Sequence, residues 1–267
     1  MIDFCSLYSG SSGNCILVGD GNNHLLIDVG MSGKKIEEAL NNNNLSTKDI
    51  SAILITHEHS DHIKGIGVIA RRYGIPIYLT QGTKAAIDSY ECYGKIDESL
   101  YNIISADTEF DVFGMRVKPI RISHDVNEPV AYRIYNGDRS VAVMTDLGVY
   151  DEYIVDSIKG VDGVLLESNH DVKMLQAGPY SYPLKMRILS DKGHLSNENS
   201  GKLLSKILHD EMQFVMLGHL SAENNYPDLA YETVRSEIDL ADNKYRSIDF
   251  SIEVAARDHS SRFIELR

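Results

Sequence analysis

The sequence predicts a mixed α/β protein built on two β-sheets, and three observations carry that expectation. The chain opens with apolar runs at residues 2–7, 14–19 and 25–28 separated by short Gly/Ser/Asn turns, the pattern of a sheet that begins antiparallel. Strand-like apolar runs then alternate with helical patterns. From Tyr101 to Val143 strand follows strand, enough for a second sheet. The 267 residues are ample for a sizeable core, with 43% hydrophobic and 24% charged residues, an ordinary balance for a soluble globular protein. No repeat, linker or low-complexity tract divides them, so residues 1–267 are expected to form a single domain.

In chain order, the first two strands flank Ser9-Gly10-Ser11-Ser12-Gly13-Asn14, and Gly21-Asn22-Asn23 turns into the third, which ends at Asp28. A helix over 32–41 carries Ile36, Ala39 and Leu40 and ends in Asn41–Asn44. The run Ile53–Ile55 reads as a buried strand, followed by a helix over 63–73, a strand over 75–79 and a short helix over 81–89. Strands are expected at 101–104, 109–113, 115–121, 130–135 and 139–145. A helix near 150–158, a strand over 163–167 and a helical stretch over 168–191 interrupted by Pro179 and Pro183 come next. Ser196 caps a helix to about 209, 214–219 is a buried strand, 226–240 a helix and 247–254 a closing strand.

Chemistry concentrates at the end of the Ile53–Ile55 run. His57-Glu58-His59-Ser60-Asp61-His62 places three imidazoles and two carboxylates in six residues, a donor mix that suits zinc, manganese or iron. His57 and His59 are two apart and point the same way on an extended strand end. Asp61 and His62 are neighbours, expected to diverge, and that asymmetry points to a dinuclear site. Other strands also end in metal-competent groups: Asp28, Asp146 and His219, with His124 just past a fifth. A set of this kind would hold two ions with a bridging hydroxide as nucleophile. Each residue taken alone has a plainer reading. His124 and His219 suit structural histidines, Asp146 suits a cap for the 150–158 helix, and the Gly/Ser loop suits a tight hairpin as well as an anion cradle.

Composition narrows the field. Cys5, Cys15 and Cys92 are odd in number and scattered, which fits reduced thiols better than a disulfide framework. No run is long enough to span a bilayer and no signal segment opens the chain, so no membrane insertion and a cytoplasmic location are expected. The net charge of −13 argues against a broadly basic nucleic-acid coat, although bound cations would supply local positive charge.

The motif His57–His62 resembles the HxHxDH signature of the metallo-β-lactamase fold, and the order Asp28, HxHxDH, His124, Asp146, His219 follows that superfamily's motifs along nearly the whole chain. The resemblance implies an αββα four-layer sandwich, two mixed sheets flanked by helices, with two divalent metal ions at one edge. An acid rather than a cysteine at the fourth motif resembles the phosphodiesterase, nuclease and glyoxalase II branches. Residues 4–7 and 9–15, the run Ile55–Gly67, Ser190–Asn197 and 219–225 are similar to the WalJ/YycJ family, which implies a bacterial exonuclease degrading DNA from a 5′ end, linked with mismatch repair and cell-wall signalling.

Carried over residue by residue, the resemblance implies that His57, His59 and His124 hold one metal, Asp61, His62 and His219 the second, and Asp146 bridges them. Asp28 would orient a ligand imidazole, and Asp61 would orient the attacking hydroxide. Gly193-His194-Leu195-Ser196 is similar to a segment of RNase Z, which implies that His194 contacts the scissile phosphate and protonates the leaving oxygen, its plainer reading being a further ligand or a structural histidine. Ser9, Ser12, Asn14, Ser221 and Asn225 are the candidate grips on a terminal phosphate, and Lys185 and Arg187 could track the backbone or be plain surface. No insertion resembling a β-CASP domain separates Asp146 from His219, which suits a chain end as substrate. A small-molecule phosphodiesterase or thioester hydrolase of the same fold, and a non-catalytic partner of a signalling system, are the competing readings.

Overall fold

The computed structural model describes residues 1–267, which separate into two compact units. The first comprises Met1–Arg121, Val126–Arg139 and Ala256–Arg267, and the second Ile122–Asp125 and Ser140–Ala255.

In the first unit, β1 (Ile2–Tyr8), β2 (Cys15–Gly19) and β3 (His24–Ile27) pair antiparallel as the opening hairpins predict. The β2–β3 turn is set by Asp20, whose Oδ1 accepts the backbone N–H groups of Asn22 and Asn23. Helix α1 (Gly33–Asn42) then carries the chain over to β4 (Ile50–Leu54), which pairs parallel with β3. A parallel neighbour cannot be reached by a tight turn, so a crossover helix is required. Ser32 caps α1, and Ile36, Ala39 and Leu40 lie in a core cluster with Leu17, Leu26 and Ile53. The helix expected over 63–73 divides into α2 (Ser60–Ile63) and α3 (Ile66–Tyr73), because the Gly65 N–H donates to the Val29 carbonyl. Strand β5 (Ile77–Thr80), helix α4 (Gln81–Asp88) and strand β6 (Tyr101–Ile104) extend the parallel part of the sheet. Strands β7 (Phe110–Val112), β8 (Met115–Arg121) and β9 (Val130–Asn136) form an antiparallel ladder.

The second unit is a parallel array of β10 (Arg139–Met144), β11 (Gly163–Glu167), β12 (Phe214–Gly218) and β13 (Ile252–Val254). Each parallel step is bridged by helix: α5 (Glu152–Ile158) first, then α6 (Val172–Ala177), α7 (Tyr182–Ile188) and α8 (Asn197–Ile207), then α9 (Pro227–Leu240). Pro183 does not break a helix as expected but sits in the first turn of α7, where its missing N–H costs nothing. The closing strand expected over 247–254 is a 3₁₀ turn at Ser247–Asp249 followed by the short β13. A strand that the sequence did not announce, β14 (Ile264–Leu266), pairs antiparallel with β1 in the first unit. The mixed α/β class with flanking helices is as expected, and no helix is long and apolar enough to cross a membrane.

Candidate functional site

In the first unit the chemistry gathers where β3 and β4 end. Asp28 follows β3 with φ +62°, a left-handed conformation that an L-residue adopts only under constraint. Its N–H donates to the Leu54 carbonyl, and its carboxylate faces the exit of β4. There Oδ1 accepts the Thr56 N–H at 2.8 Å, while Oδ2 accepts the Thr56 hydroxyl at 2.8 Å and stands 2.7 Å from His62 Nδ1. The single hydroxyl proton of Thr56 goes to Asp28, so Thr56 Oγ1 accepts from His57 Nδ1, 3.0 Å away. Asp28 thereby places a proton on Nδ1 of both His57 and His62, directly or through Thr56, and leaves each Nε2 with its lone pair. Burial pushes the Asp28 carboxyl upward, and His62 with the Thr56 donors pulls it back.

His57 Nε2 lies 3.2 Å from His59 Nδ1, the convergence expected of positions two apart. Ring nitrogens at that spacing could serve as neighbouring ligands of one ion. Asp61 and His62, expected to diverge, instead converge in the single turn of α2, with Asp61 Oδ2 3.6 Å from His62 Nε2. Glu58 turns away from the cluster: its Oε1 accepts both the backbone and side-chain amides of Asn127. The same 126–132 segment braces the strand end, with the Val130 N–H on the Thr56 carbonyl and the Tyr132 hydroxyl on the Ile55 carbonyl. Gly30 packs so tightly on α2 that a Cβ there would overlap the Asp61 carbonyl oxygen.

The second unit repeats the device. Asp146, just beyond β10, and His219, following β12, also adopt left-handed conformations, with φ +56° and +54°. The carboxylate that organises this side is Glu167, the last residue of β11, fully buried. Its Oε1 lies 2.8 Å from Nδ1 of both His194 and His219, and its Oε2 accepts the N–H groups of Leu147 and Leu195. Burial pushes the Glu167 carboxyl up, but His194 and His219 outweigh it and bring it down to about 2. The same pairing, working against burial, holds the His194 imidazole above its ordinary range. His124 donates from Nδ1 to the Gly193 carbonyl at 3.1 Å, and its Nε2 lies 3.6 Å from Asp146 Oδ1. That carboxylate oxygen is also 3.5 Å from His194 Nδ1 and 3.6 Å from His219 Nδ1, so Asp146, Glu167, His194 and His219 form one donor cluster.

His57, His62, His124 and His219 thus share one arrangement, each with an oxygen against Nδ1. Ligand imidazoles of divalent metals are held in this way. The donor sets fit divalent metal binding. Asp146 is not a cap for α5; Asp151 fills that place, its Oδ1 accepting the Ile154 N–H.

Asp28 stands 2.7 Å from His62 Nδ1, whereas Glu167 was missed as a site residue. The available signal was an apolar strand ending in a carboxylate, Leu165-Leu166-Glu167, the same signature as Leu26-Ile27-Asp28. The candidate phosphate grips are placed less favourably. Ser9 is buried, and only Ser12 is exposed. The Asn14 amide closes its own loop on both polar atoms of Gly10 and touches His62 Nε2 at 3.1 Å. Ser221 Oγ accepts the Asn224 N–H. Asn225 pairs reciprocally with the Asn197 amide and also holds the Ser168 and Asn169 carbonyls, so its amide ties three loops together.

Residues 23–216 match the family model described as a beta-lactamase superfamily domain. Over 260 residues the chain is 38% identical to the exodeoxyribonuclease WalJ of Streptococcus pneumoniae, covering 97% of this chain and 96% of that protein. Over 234 residues it is 40% identical to the exodeoxyribonuclease YycJ of Bacillus anthracis, covering 87% and 88%. The chain belongs to the WalJ/YycJ family of the beta-lactamase superfamily. Among solved structures, the metallo-beta-lactamase fold protein YhfI of Bacillus subtilis superposes with a TM-score of 0.69 at 15% identity, covering 98% of this chain and 100% of that one. That likeness shows the fold.

Proposed function

We propose that this chain is a metal-dependent phosphodiesterase that degrades DNA from a 5′ end. The observation that carries the reading is the common orientation of His57, His62, His124 and His219, each with an oxygen against Nδ1. The near full-length likeness to two exodeoxyribonucleases supports DNA as the substrate. In this reading His57, His59, Asp61 and His62 of the first unit and His124, Asp146 and His219 of the second would be the groups that hold divalent metal. Zinc, manganese and iron all suit such donors. Bound ions would supply a water of lowered pKa as nucleophile and neutralise charge on the phosphoryl oxygens.

The chain's own groups do the positioning. Asp28 and Thr56 fix the proton on His57 and His62, and Glu167 fixes it on His194 and His219. With Nδ1 directed at Glu167, His194 offers Nε2 to the leaving oxygen, which it would protonate. Asp61 aligns the attacking water. Ser12 and the backbone of the Ser9–Asn14 loop are the proposed contacts for a terminal phosphate, with Ser221 at the β12 exit. Buried Cys5 and Cys15 and exposed Cys92, all reduced, suit the cytoplasm.

The net charge of −13 favours a second reading, a small-molecule diester as substrate. Incubation with Mn²⁺ and 5′-labelled duplex DNA separates the two. Release of labelled mononucleotides is the expected result; turnover of a bis-aryl phosphodiester with intact DNA would reject the exonuclease.

A further inference from the structure

The chain is acidic overall, yet residues 172–192 carry four cations, Lys173, Lys185, Arg187 and Lys192, against one carboxylate, Asp191. The same segment leaves large apolar groups in solvent: Tyr182 is 74% exposed, Met186 48% and Leu189 38%. These three fall at i, i+4 and i+7, so they form one stripe along α7 and its C-cap, with Lys185 beside it, while Ile188 is buried. A helix that turns its apolar stripe outward marks an interaction surface.

The stripe is fixed next to the donor cluster of the second unit. The His194 N–H donates to the Ile188 carbonyl at 3.0 Å and the Gly193 N–H to Ser190 at 2.8 Å, so the end of α7 folds directly onto His194. Arg187 pairs with Asp125, beside His124, and Ser123 Oγ donates to the Asp191 carbonyl at 2.7 Å. Arg187 is therefore an anchor, and Lys185 reaches the Gln176 carbonyl. Lys192 stands two residues before His194 and is exposed.

We propose that the outward face of α7, with Lys192, binds the single-stranded stretch of a nucleic-acid substrate adjoining the cleaved bond. This rests on the phosphodiesterase reading above and names the surface that would engage the strand. Every base offers a flat face to Tyr182 and to the side chains of Met186 and Leu189, which gives affinity without sequence preference, and Lys192 meets the backbone phosphate. Charge complementarity singles out a polyanion: this positive, aromatic-bearing segment interrupts an otherwise acidic chain.

Fluorescence anisotropy of a labelled single-stranded oligonucleotide, with Ca²⁺ to hold off cleavage, tests the surface, and digestion of the same strand in Mn²⁺ tests the reading beneath it. Tyr182→Ala should weaken binding about tenfold, while Tyr182→Phe, which keeps the ring, should bind like the parent. Lys192→Ala should lower the slope of log affinity against log salt by about 0.7. Unchanged thermal midpoints would show that the variants fold. If Tyr182→Ala binds like the parent, or Tyr182→Phe is weakened as much as Tyr182→Ala, the inference falls although the parent still digests DNA. If binding behaves as expected but the parent leaves DNA intact, the exonuclease reading falls and the surface stands. A parent that does not bind the strand overturns the inference, and the duplex assay above then decides the exonuclease reading.

Discussion

The Nδ1 atom of His219 lies 2.8 Å from Oε1 of Glu167, and the same carboxylate oxygen stands equally close to His194. One buried carboxylate, brought down to about 2, therefore sets the tautomer of two imidazoles and holds two backbone N–H groups. Glu167→Gln keeps the volume but replaces one acceptor oxygen with a donor, so at least one of these groups loses its acceptor. A roughly 10–100-fold loss in metal affinity or turnover is expected. Calorimetric titration with Mn²⁺ and diester turnover would check it; a variant indistinguishable from the parent in both would remove Glu167 from the account.

Asp28 allows a cleaner substitution. Asn tolerates the left-handed backbone at this position, so Asp28→Asn isolates the carboxylate from the conformation. Its effect should resemble that of Glu167→Gln, because His62 and the Thr56–His57 relay lose an acceptor. Asp28→Ala should add about 1 kcal/mol of destabilisation from the backbone alone. Metal affinity of the first variant and the urea midpoints of both provide the readouts.

Much of this arrangement is legible in the sequence because a strand exit writes its chemistry in adjacent letters. His57, His59, Asp61 and His62 fall within six consecutive residues, and Asp28, Asp146 and His219 each stand at or just past the end of an apolar run. Glu167 was hidden for the opposite reason: nothing near it in sequence reveals that His194 and His219 converge on it. The convergence of Asp61 with His62 depends on the short turn of α2, and the left-handed backbones depend on tertiary contacts such as the Asp28 N–H on Leu54. Strand β14 was unreadable because three residues carry too little pattern; β1 supplies its pairing.

His170 supplies a pH-dependent contribution to stability. It is buried, its Nε2 has no protein partner, and burial, opposed by Glu167, lowers its pKa from 6.5 to about 4. Since the folded value lies below the unfolded one, acid favours the unfolded chain. The contribution is intact above pH 6.5 and is lost as pH falls toward 4, a loss of about 2 kcal/mol between pH 7 and pH 5. Urea unfolding of the parent and His170→Gln at both pH values should show the smaller fall in the variant. Equal falls would contradict the assignment.

Asn225 is expected to act on stability. Its amide is matched to Asn197, Ser168 and Asn169 in a buried setting, so Asn225→Ala leaves several polar groups unsatisfied. A cost of about 2 kcal/mol follows. A lowered thermal midpoint with metal content retained would agree; an unchanged midpoint accompanied by weakened substrate binding would return Asn225 to the list of phosphate contacts.

The central proposal is that the imidazoles oriented by Asp28, Thr56, Glu167 and the Gly193 carbonyl would hold two divalent ions. Metal content of the purified protein, measured after equilibration with Mn²⁺ or Zn²⁺ and removal of loose ions, tests it most directly. The account predicts two ions per chain, falling in His59→Ala and Asp146→Ala together with diester turnover. A parent chain that retains no ion, or variants that keep both ions and full turnover, would contradict it.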